Sequence, residues 1–395
     1  MRFSSKIRQC GFSPMRKYNS FAEKAARNGV KVYHLNIGQP DVQTPAAFRD
    51  ALHGYDEEVL SYAPSGGLPE YVDAVRAYYK RIGVCLEPEE ILPAAGGSEA
   101  LQIAFTVLLD DGDEILVPEP FYPNYSTFIT LTGAVIHPIP TYVEESYFYA
   151  DRQRIEAEIN EHTRALLITN PGNPTGAVLS PEQLRMLLDI AREHQLFLVC
   201  DEVYREFVYA GEPLLSGLQF DGYEENVIVI DSSSKRFSAC GARMGAVISR
   251  NHAFMEEAMK CCQGRLASST VDQIGAAALF RMDPAYFASV REEYHRRRDI
   301  MVSKLQQIPG VICREPKGAF YVMCALPVDD ADRFQLWLLE EYSKTGETVL
   351  MAPGQAFYAT PGRGLNEVRL AYTINAQDIA HAIDLLKDAL DRYNR

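Results

Sequence analysis

The chain has 395 residues, 47% of them hydrophobic and 23% charged, which supports a folded core and excludes a disordered chain. Its formal net charge of −14 disfavours nonspecific attraction to nucleic acid or to an anionic membrane surface. Length allows about two domains, and no stretch approaches the roughly 20 apolar residues needed to span a bilayer.

The first twenty residues are basic and contain serine, as transit peptides do, but lack the apolar core of a secretory signal. Lys31–Gly38 alternates like a short strand and stops at Gln39-Pro40-Asp41, a turn signal. A loop with Tyr62 beside Gly66-Gly67 follows, and Pro69-Glu70 opens an amphipathic helix through about Arg81. Next, Gly96-Gly97-Ser98-Glu99 precedes the helical pattern Leu101–Leu109. Glycines at a helix mouth let its free N–H groups approach an anion, although the same residues suit a turn with an N-cap serine. The dinucleotide fingerprint G-x-G-x-x-G is absent, which disfavours a nicotinamide dehydrogenase.

From Glu114 onward, short apolar runs alternate with segments of helical period, a pattern that predicts a mainly parallel sheet covered by helices. Three of the runs end in polar residues: Leu166-Leu-Ile-Thr in Asn170, Leu196-Phe-Leu-Val-Cys in Asp201, and Val227-Ile-Val-Ile in Asp231-Ser232. Ligands gather at the carboxyl ends of such strands, so this convergence marks a site. Ser232-Ser233-Ser234-Lys235, eight residues before Arg243, lies at its centre. Beyond Arg250 the pattern is helical, with a long charged helix around Pro284–Leu305. Short strands at Gly318–Met323, Glu347–Met351 and Glu367–Tyr372 and a helix from Gln377 then suggest a smaller α+β domain. The expected division is 46–283 for the large domain, and 1–45 with 284–395 for the small one.

The eight cysteines show no C-x-x-C spacing, and several sit in apolar runs, which reads as reduced packing residues in a cytoplasmic protein. The eight histidines form no paired-ligand pattern, so no metal is expected.

With these residues in order, the chain resembles the class I, fold type I aminotransferases that use pyridoxal 5′-phosphate (PLP), in particular their aspartate-aminotransferase-like branch. The resemblance runs from about Ser13 to the C-terminus, through Asn36–Asp41, Tyr62–Gly67, Asn170-Pro-Gly-Asn-Pro-Thr-Gly176, Asp201-Glu-Val-Tyr204, Ser232–Lys235 and Arg369. It argues against a transit peptide. With about a dozen residues ahead of Ser13, a fused DNA-binding segment, and with it a non-enzymatic PLP module, is not expected. The resemblance implies an α/β fold with a large PLP-binding domain, and transfer of the amino group of an L-amino acid to a 2-oxo acid. A carbon–sulfur β-lyase of the same fold is the alternative.

The resemblance also implies roles. Lys235 would form the Schiff base and move the substrate Cα proton, and Asp201 would pair with the pyridine nitrogen. Asn173 and Tyr204 would bond the ring's phenolic oxygen. Tyr122 would stack on the ring, where relatives often have tryptophan. The amides of Gly97, Ser98 and Glu99, the hydroxyls of Ser232 and Ser234, and Arg243 would hold the phosphate. Tyr62 would reach the phosphate of a neighbouring subunit, implying a homodimer. Arg369, with Asn173 and the backbone at Gly38, would bind substrate, the arginine gripping the α-carboxylate. Some relatives that prefer dicarboxylates carry lysine at the position of Ser98. Arg265 either replaces that charge or is an exposed helix-end arginine.

Overall fold

The computed structural model describes residues 1–209 and 214–395. Its strands among the described residues, in chain order, are β1 (Lys31–His34), β2 (Ile91–Ala94), β3 (Glu114–Glu119), β4 (Val135–Pro140), β5 (Thr163–Thr169), β6 (Phe197–Asp201), β7 (Val227–Ser232), β8 (Gly245–Ile248), β9 (Ile312–Cys313), β10 (Tyr321–Ala325), β11 (Glu347–Leu350), β12 (Ala352–Pro353) and β13 (Glu367–Ala371). Seven form one sheet in the order β2-β8-β7-β6-β5-β3-β4. Within it β8 alone runs against its neighbours, so the sheet is mainly parallel. The two strands without a clear sequence signal are β2 and β8. Pro93 interrupts β2, which a sheet tolerates at its edge, and β8 is a bare Gly-Ala-Val-Ile.

Successive side chains of the central strands enter different cores. Leu166, Ile168, Leu198, Cys200 and Val229 pack on one face with Leu184, Leu187 and Leu188 of the helix Pro181–Glu193. Leu167, Val199, Ile228 and Ile230 pack on the other with Leu101, Ala104 and Phe105 of the helix Gly97–Leu108. Covering both faces explains why these strands read as continuous apolar runs. Each such Leu or Ile contributes roughly 1.5–3 kcal/mol by leaving water. The helix Pro181–Glu193 starts where its sequence says it should: Ser180 Oγ accepts from the Gln183 amide, and Gln183 Oε1 accepts from the Ser180 amide.

The remaining strands form an antiparallel sheet in the order β12-β13-β10-β9 and the parallel pair β1-β11. The ladder of β1 stops at His34, short of the Gly38 that alternation suggests, because the carbonyls of Asn36 and Gly38 accept from Arg369 and Lys235. Aromatic packing joins the two sheet systems. Tyr204 and Phe207, just past β6, meet Phe320 with ring centroids 5.2 Å apart in both pairs.

Past β7 the chain makes one helical turn, Ser233–Arg236, fixed by a buried carboxylate. Asp231 Oδ1 accepts from the Ser232 amide at 2.6 Å and from the Arg236 guanidinium, and Oδ2 accepts from the Tyr79 hydroxyl at 3.0 Å. Arg236 is fully buried and lies over the Tyr78 ring at 4.6 Å. Both ends of the turn that carries Lys235 are thus tied to one side chain. Removing half of a buried ion pair strands the other charge, so Asp231→Ala is expected to lower stability by about 3–5 kcal/mol in denaturant unfolding.

Candidate active site

Parallel register assembles the first part of the site. Thr169 lies opposite Asp201 across β5 and β6, Asp201 opposite Ile230 across β6 and β7, and the Asn170 amide donates to the Asp201 carbonyl at 3.0 Å. Asn170, Asp201 and Ser232 therefore share one edge of the sheet. The Asp201 carboxylate accepts from the Tyr125 hydroxyl at 2.5 Å and more weakly from the Val203 amide at 3.4 Å. Both partners are neutral, and burial pushes the Asp201 carboxyl up to about 6, against the pull of those hydrogen bonds.

A second group runs from Lys235 to Arg369. Lys235 Nζ donates to the Gly38 carbonyl at 2.9 Å and lies 3.9 Å from Cys240 Sγ. Gly38 must be glycine, because a Cβ there would fall 1.7 Å from the Tyr321 hydroxyl oxygen. That hydroxyl is 3.0 Å from the Tyr204 hydroxyl, which Asn173 Nδ2 approaches at 3.5 Å. Asn173 Oδ1 accepts from Arg369 Nη1 at 2.9 Å. Arg369 is 2% exposed, and its other contacts include the Asn36 carbonyl at 2.6 Å, Met15 Sδ at 3.0 Å and the faces of Tyr321 at 4.3 Å and Phe357 at 5.1 Å. A buried guanidinium is thus held by an amide, a carbonyl, a thioether and two rings, with no carboxylate partner among the described residues.

The third group is an anion cradle. Gly97, Ser98 and Glu99 form the first turn of the helix Gly97–Leu108, where amides lack intrahelical acceptors and the dipole favours negative charge. Ser232 Oγ lies 2.9 Å from Ser234 Oγ, and a Cβ on Gly97 would sit 3.8 Å from that of Ser232. Gly245 permits the close approach, since a Cβ on it would lie 2.9 Å from the Gly97 nitrogen. Arg243 donates to the Ala95 carbonyl at 3.1 Å. The cradle therefore brings together two serine hydroxyls, three amides and a guanidinium.

Tyr122 packs edge-on against Tyr125 with centroids 5.4 Å apart, and burial pushes its hydroxyl up to about 12. Tyr62 stands apart: it is 83% exposed and joins none of these groups within the chain. The structure adds Tyr321, Tyr125, Asn36 and Met15, which sequence reasoning misses. Tyr321 has a partial signal, lying in the short apolar strand that pairs with the strand of Arg369.

The donor set fits PLP. It offers an amine, a buried carboxyl with neutral partners, an anion cradle and a buried arginine without a carboxylate. Residues 30–386 match the family described as aminotransferase class I and II. The chain is 32% identical over 369 residues to an aspartate aminotransferase of Pyrococcus horikoshii, covering 91% of each. A solved aspartate aminotransferase of Thermus thermophilus, a single mutant, superposes with a TM-score of 0.90 at 29% identity, covering 98% of this chain and all of that one. An alanine aminotransferase from Pyrococcus furiosus matches equally well in fold, with a TM-score of 0.90 and 29% identity over 99% of this chain and all of that one. The chain belongs to the class I and II aminotransferases, PLP-dependent enzymes that transfer amino groups. Within that family it is aspartate-aminotransferase-like, and the β-lyase alternative is not favoured.

The raised Asp201 carboxyl gives a pH test on the protein freed of PLP. An acid with a folded value above its unfolded one binds protons more tightly when folded, so its ionisation costs stability as pH rises. Stability should fall by about 2–3 kcal/mol from this group between about pH 4 and pH 6. Asp201→Asn is expected to flatten that part of the profile, measured by denaturant unfolding at a series of pH values.

Proposed function

We propose that the three groups form one transamination site, with Lys235 as the covalent anchor and proton carrier and Arg369 as the substrate-carboxylate receptor. The observation that carries this reading is the continuous set of contacts from Lys235 through Gly38, Tyr321, Tyr204 and Asn173 to Arg369, ending on a buried cation whose partners are all uncharged.

Bound PLP supplies the electron sink that accepts the charge left on the amino acid's α-carbon. Asp201 would meet the pyridine nitrogen and keep it protonated, an ion pair that would offset the cost of burying its own charge. Asn173 and Tyr204 would donate to the phenolic oxygen, and Tyr122 would pack against the ring. The amides of Gly97, Ser98 and Glu99, the hydroxyls of Ser232 and Ser234, and Arg243 would hold the phosphate. Charge-assisted bonds contribute roughly 1.5–3 kcal/mol each, enough in combination to retain a dianion on a protein of net charge −14.

Lys235 Nζ, 2.9 Å from the Gly38 carbonyl, would be the amine that anchors the cofactor and, once released, the group that takes up the proton from the substrate Cα. Arg369 orients the α-carboxylate with two N–H groups, and Gly38 offers backbone beside it. The same arginine and lysine would serve the 2-oxo acid that accepts the amine, one holding its carboxylate and the other returning the proton.

Tyr62 supports a homodimer. It lies with exposed Val59, Leu60 and Leu266 on a surface that a second copy would cover, and would complete the phosphate site of that copy. Residues 46–283 act as the cofactor-binding domain, and 1–45 with 284–395 as the small domain that brings Asn36, Gly38 and Arg369 to it. The eight cysteines are unbridged, in keeping with a cytoplasmic enzyme.

Lys235→Ala should bind PLP without covalent attachment and lose amine transfer by at least about 1,000-fold, followed by cofactor absorbance and product 2-oxo acid. Retained transfer would exclude the assignment. Arg369→Ala should raise the amino-acid KM on the order of 100-fold while PLP retention stays near wild type, because two charge-assisted bonds to substrate are removed and none to cofactor. Equal losses of both would count against the carboxylate role.

A further inference from the structure

Arg265 enters none of the roles above, yet it is held more firmly than a surface arginine. Its Nη1 donates to Glu99 Oε2 at 2.7 Å and to Ser268 Oγ at 2.6 Å, and its Nη2 to the Pro93 carbonyl at 2.6 Å. The same Glu99 oxygen accepts from the Ala95 amide at 2.6 Å. The two peptide groups flanking Ala95 are therefore both held, the N–H of one by Glu99 and the carbonyl of the next by Arg243. The second leads directly into Gly96-Gly97, the mouth of the anion cradle.

Glu99 serves the loop at an electrostatic cost. It places a carboxylate at the helix N-terminus, where it competes with a bound phosphate for the same positive field. Arg265 cancels that charge, with its side chain 17% exposed and that of Glu99 26% exposed. The segment that follows is bonded in the opposite direction. The Ser65 hydroxyl donates to the Leu266 carbonyl at 2.6 Å, the Thr270 hydroxyl to the Ser61 carbonyl at 2.8 Å, and the Leu68 amide to Gln273 Oε1 at 2.7 Å. Residues 265–273 thus link the cradle to the loop that carries Tyr62.

We propose that Arg265 is a positioning residue for the cofactor phosphate, acting through Glu99, and is thereby withheld from any second carboxylate of a substrate. This rests on the reading of the helix mouth as the phosphate site. A purely structural arginine would weaken everything at once when removed. An arginine that cancels Glu99 has a different signature: its loss hurts because Glu99 remains, and neutralising Glu99 as well repairs the damage.

The test uses full-length protein freed of PLP, with PLP affinity measured by absorbance titration and inorganic phosphate affinity by competition and thermal shift. Arg265→Gln is expected to weaken both about tenfold or more. Adding Glu99→Gln should bring both back to within about threefold of wild type, and Arg265→Lys, which keeps the charge, should stay near wild type. In the reloaded enzyme, KM for aspartate or glutamate and for alanine or leucine should move by the same factor. A rise confined to the dicarboxylic amino acids with PLP affinity intact would overturn the proposal, making Arg265 a substrate ligand instead. Unchanged phosphate affinity in Arg265→Gln, or a double variant no better than the single, would overturn it as well. Should Arg265→Gln fail to fold, Arg265→Lys decides: equal loss of phosphate binding there rules out charge cancellation. Inorganic phosphate that does not compete with PLP in the wild-type protein would defeat the phosphate reading itself, and this proposal with it.

Discussion

The site depends first on the register of three parallel strands. With Thr169 opposite Asp201 and Asp201 opposite Ile230, β5 and β6 end level and β7 runs two residues further to Ser232, so the polar residues that close each buried run meet at one edge. A slip of one residue would send Leu167, Val199 and Ile228 to the opposite face and place Asp201 in a hydrophobic layer. The register is enforced because both faces are buried, each by a different set of helices. Burial that stabilises the fold therefore also positions the carboxyl that would meet the cofactor.

The charges at the site are arranged to be complementary to something other than each other. Asp201 is bonded to a hydroxyl and an amide, and Arg369 to a carbonyl, an amide oxygen and a thioether. Among the described residues neither is bonded to an opposite charge, which is costly for buried groups and uncommon away from functional sites. Beneath them the logic reverses. Asp231 with Arg236, and Glu202 with Arg205, are buried ion pairs that balance internally and anchor the backbone. Support is neutralised and function is left open, so a ligand with one acidic and one basic end completes the electrostatics without disturbing the frame.

Much of this is legible in the sequence where the signal is local. The alternation of apolar runs with helical segments gives the sheet, and the polar residue after each run gives Asn170, Asp201 and Ser232. Gly96-Gly97 before a helical pattern gives the cradle. What escapes is set by contacts between distant segments. Tyr321 reads as one more aromatic in a strand, and only its approach to Gly38 and Tyr204, 117 residues away in the latter case, gives it a place at the site. Met15 meets Arg369 across 354 residues. The edge strand β2 is masked by its proline, and β8 by its shortness. The glutamate in Gly-Gly-Ser-Glu reads as a donor of a backbone amide, whereas its side chain is the part bound within the chain.

Resemblance to aspartate aminotransferases fixes the chemistry more tightly than the substrate, and physics explains the asymmetry. Amine transfer needs the cofactor's own atoms held in place, and those contacts come from strand ends and a helix mouth that the fold builds whatever the substrate. Choice of side chain rests on one or two cations placed at the rim, where the fold imposes little. Solved structures of an aspartate and an alanine aminotransferase superpose on this chain with the same TM-score of 0.90, so the common frame does not distinguish them. The rim cations do. With Arg243 turned to the phosphate loop and Arg265 bound to Glu99, the chain's arginines at the cradle are already engaged. A second carboxylate that took Arg265 would leave Glu99 uncompensated at the helix mouth. On the proposal above, that cost weighs against Arg265 as the receptor of a second carboxylate.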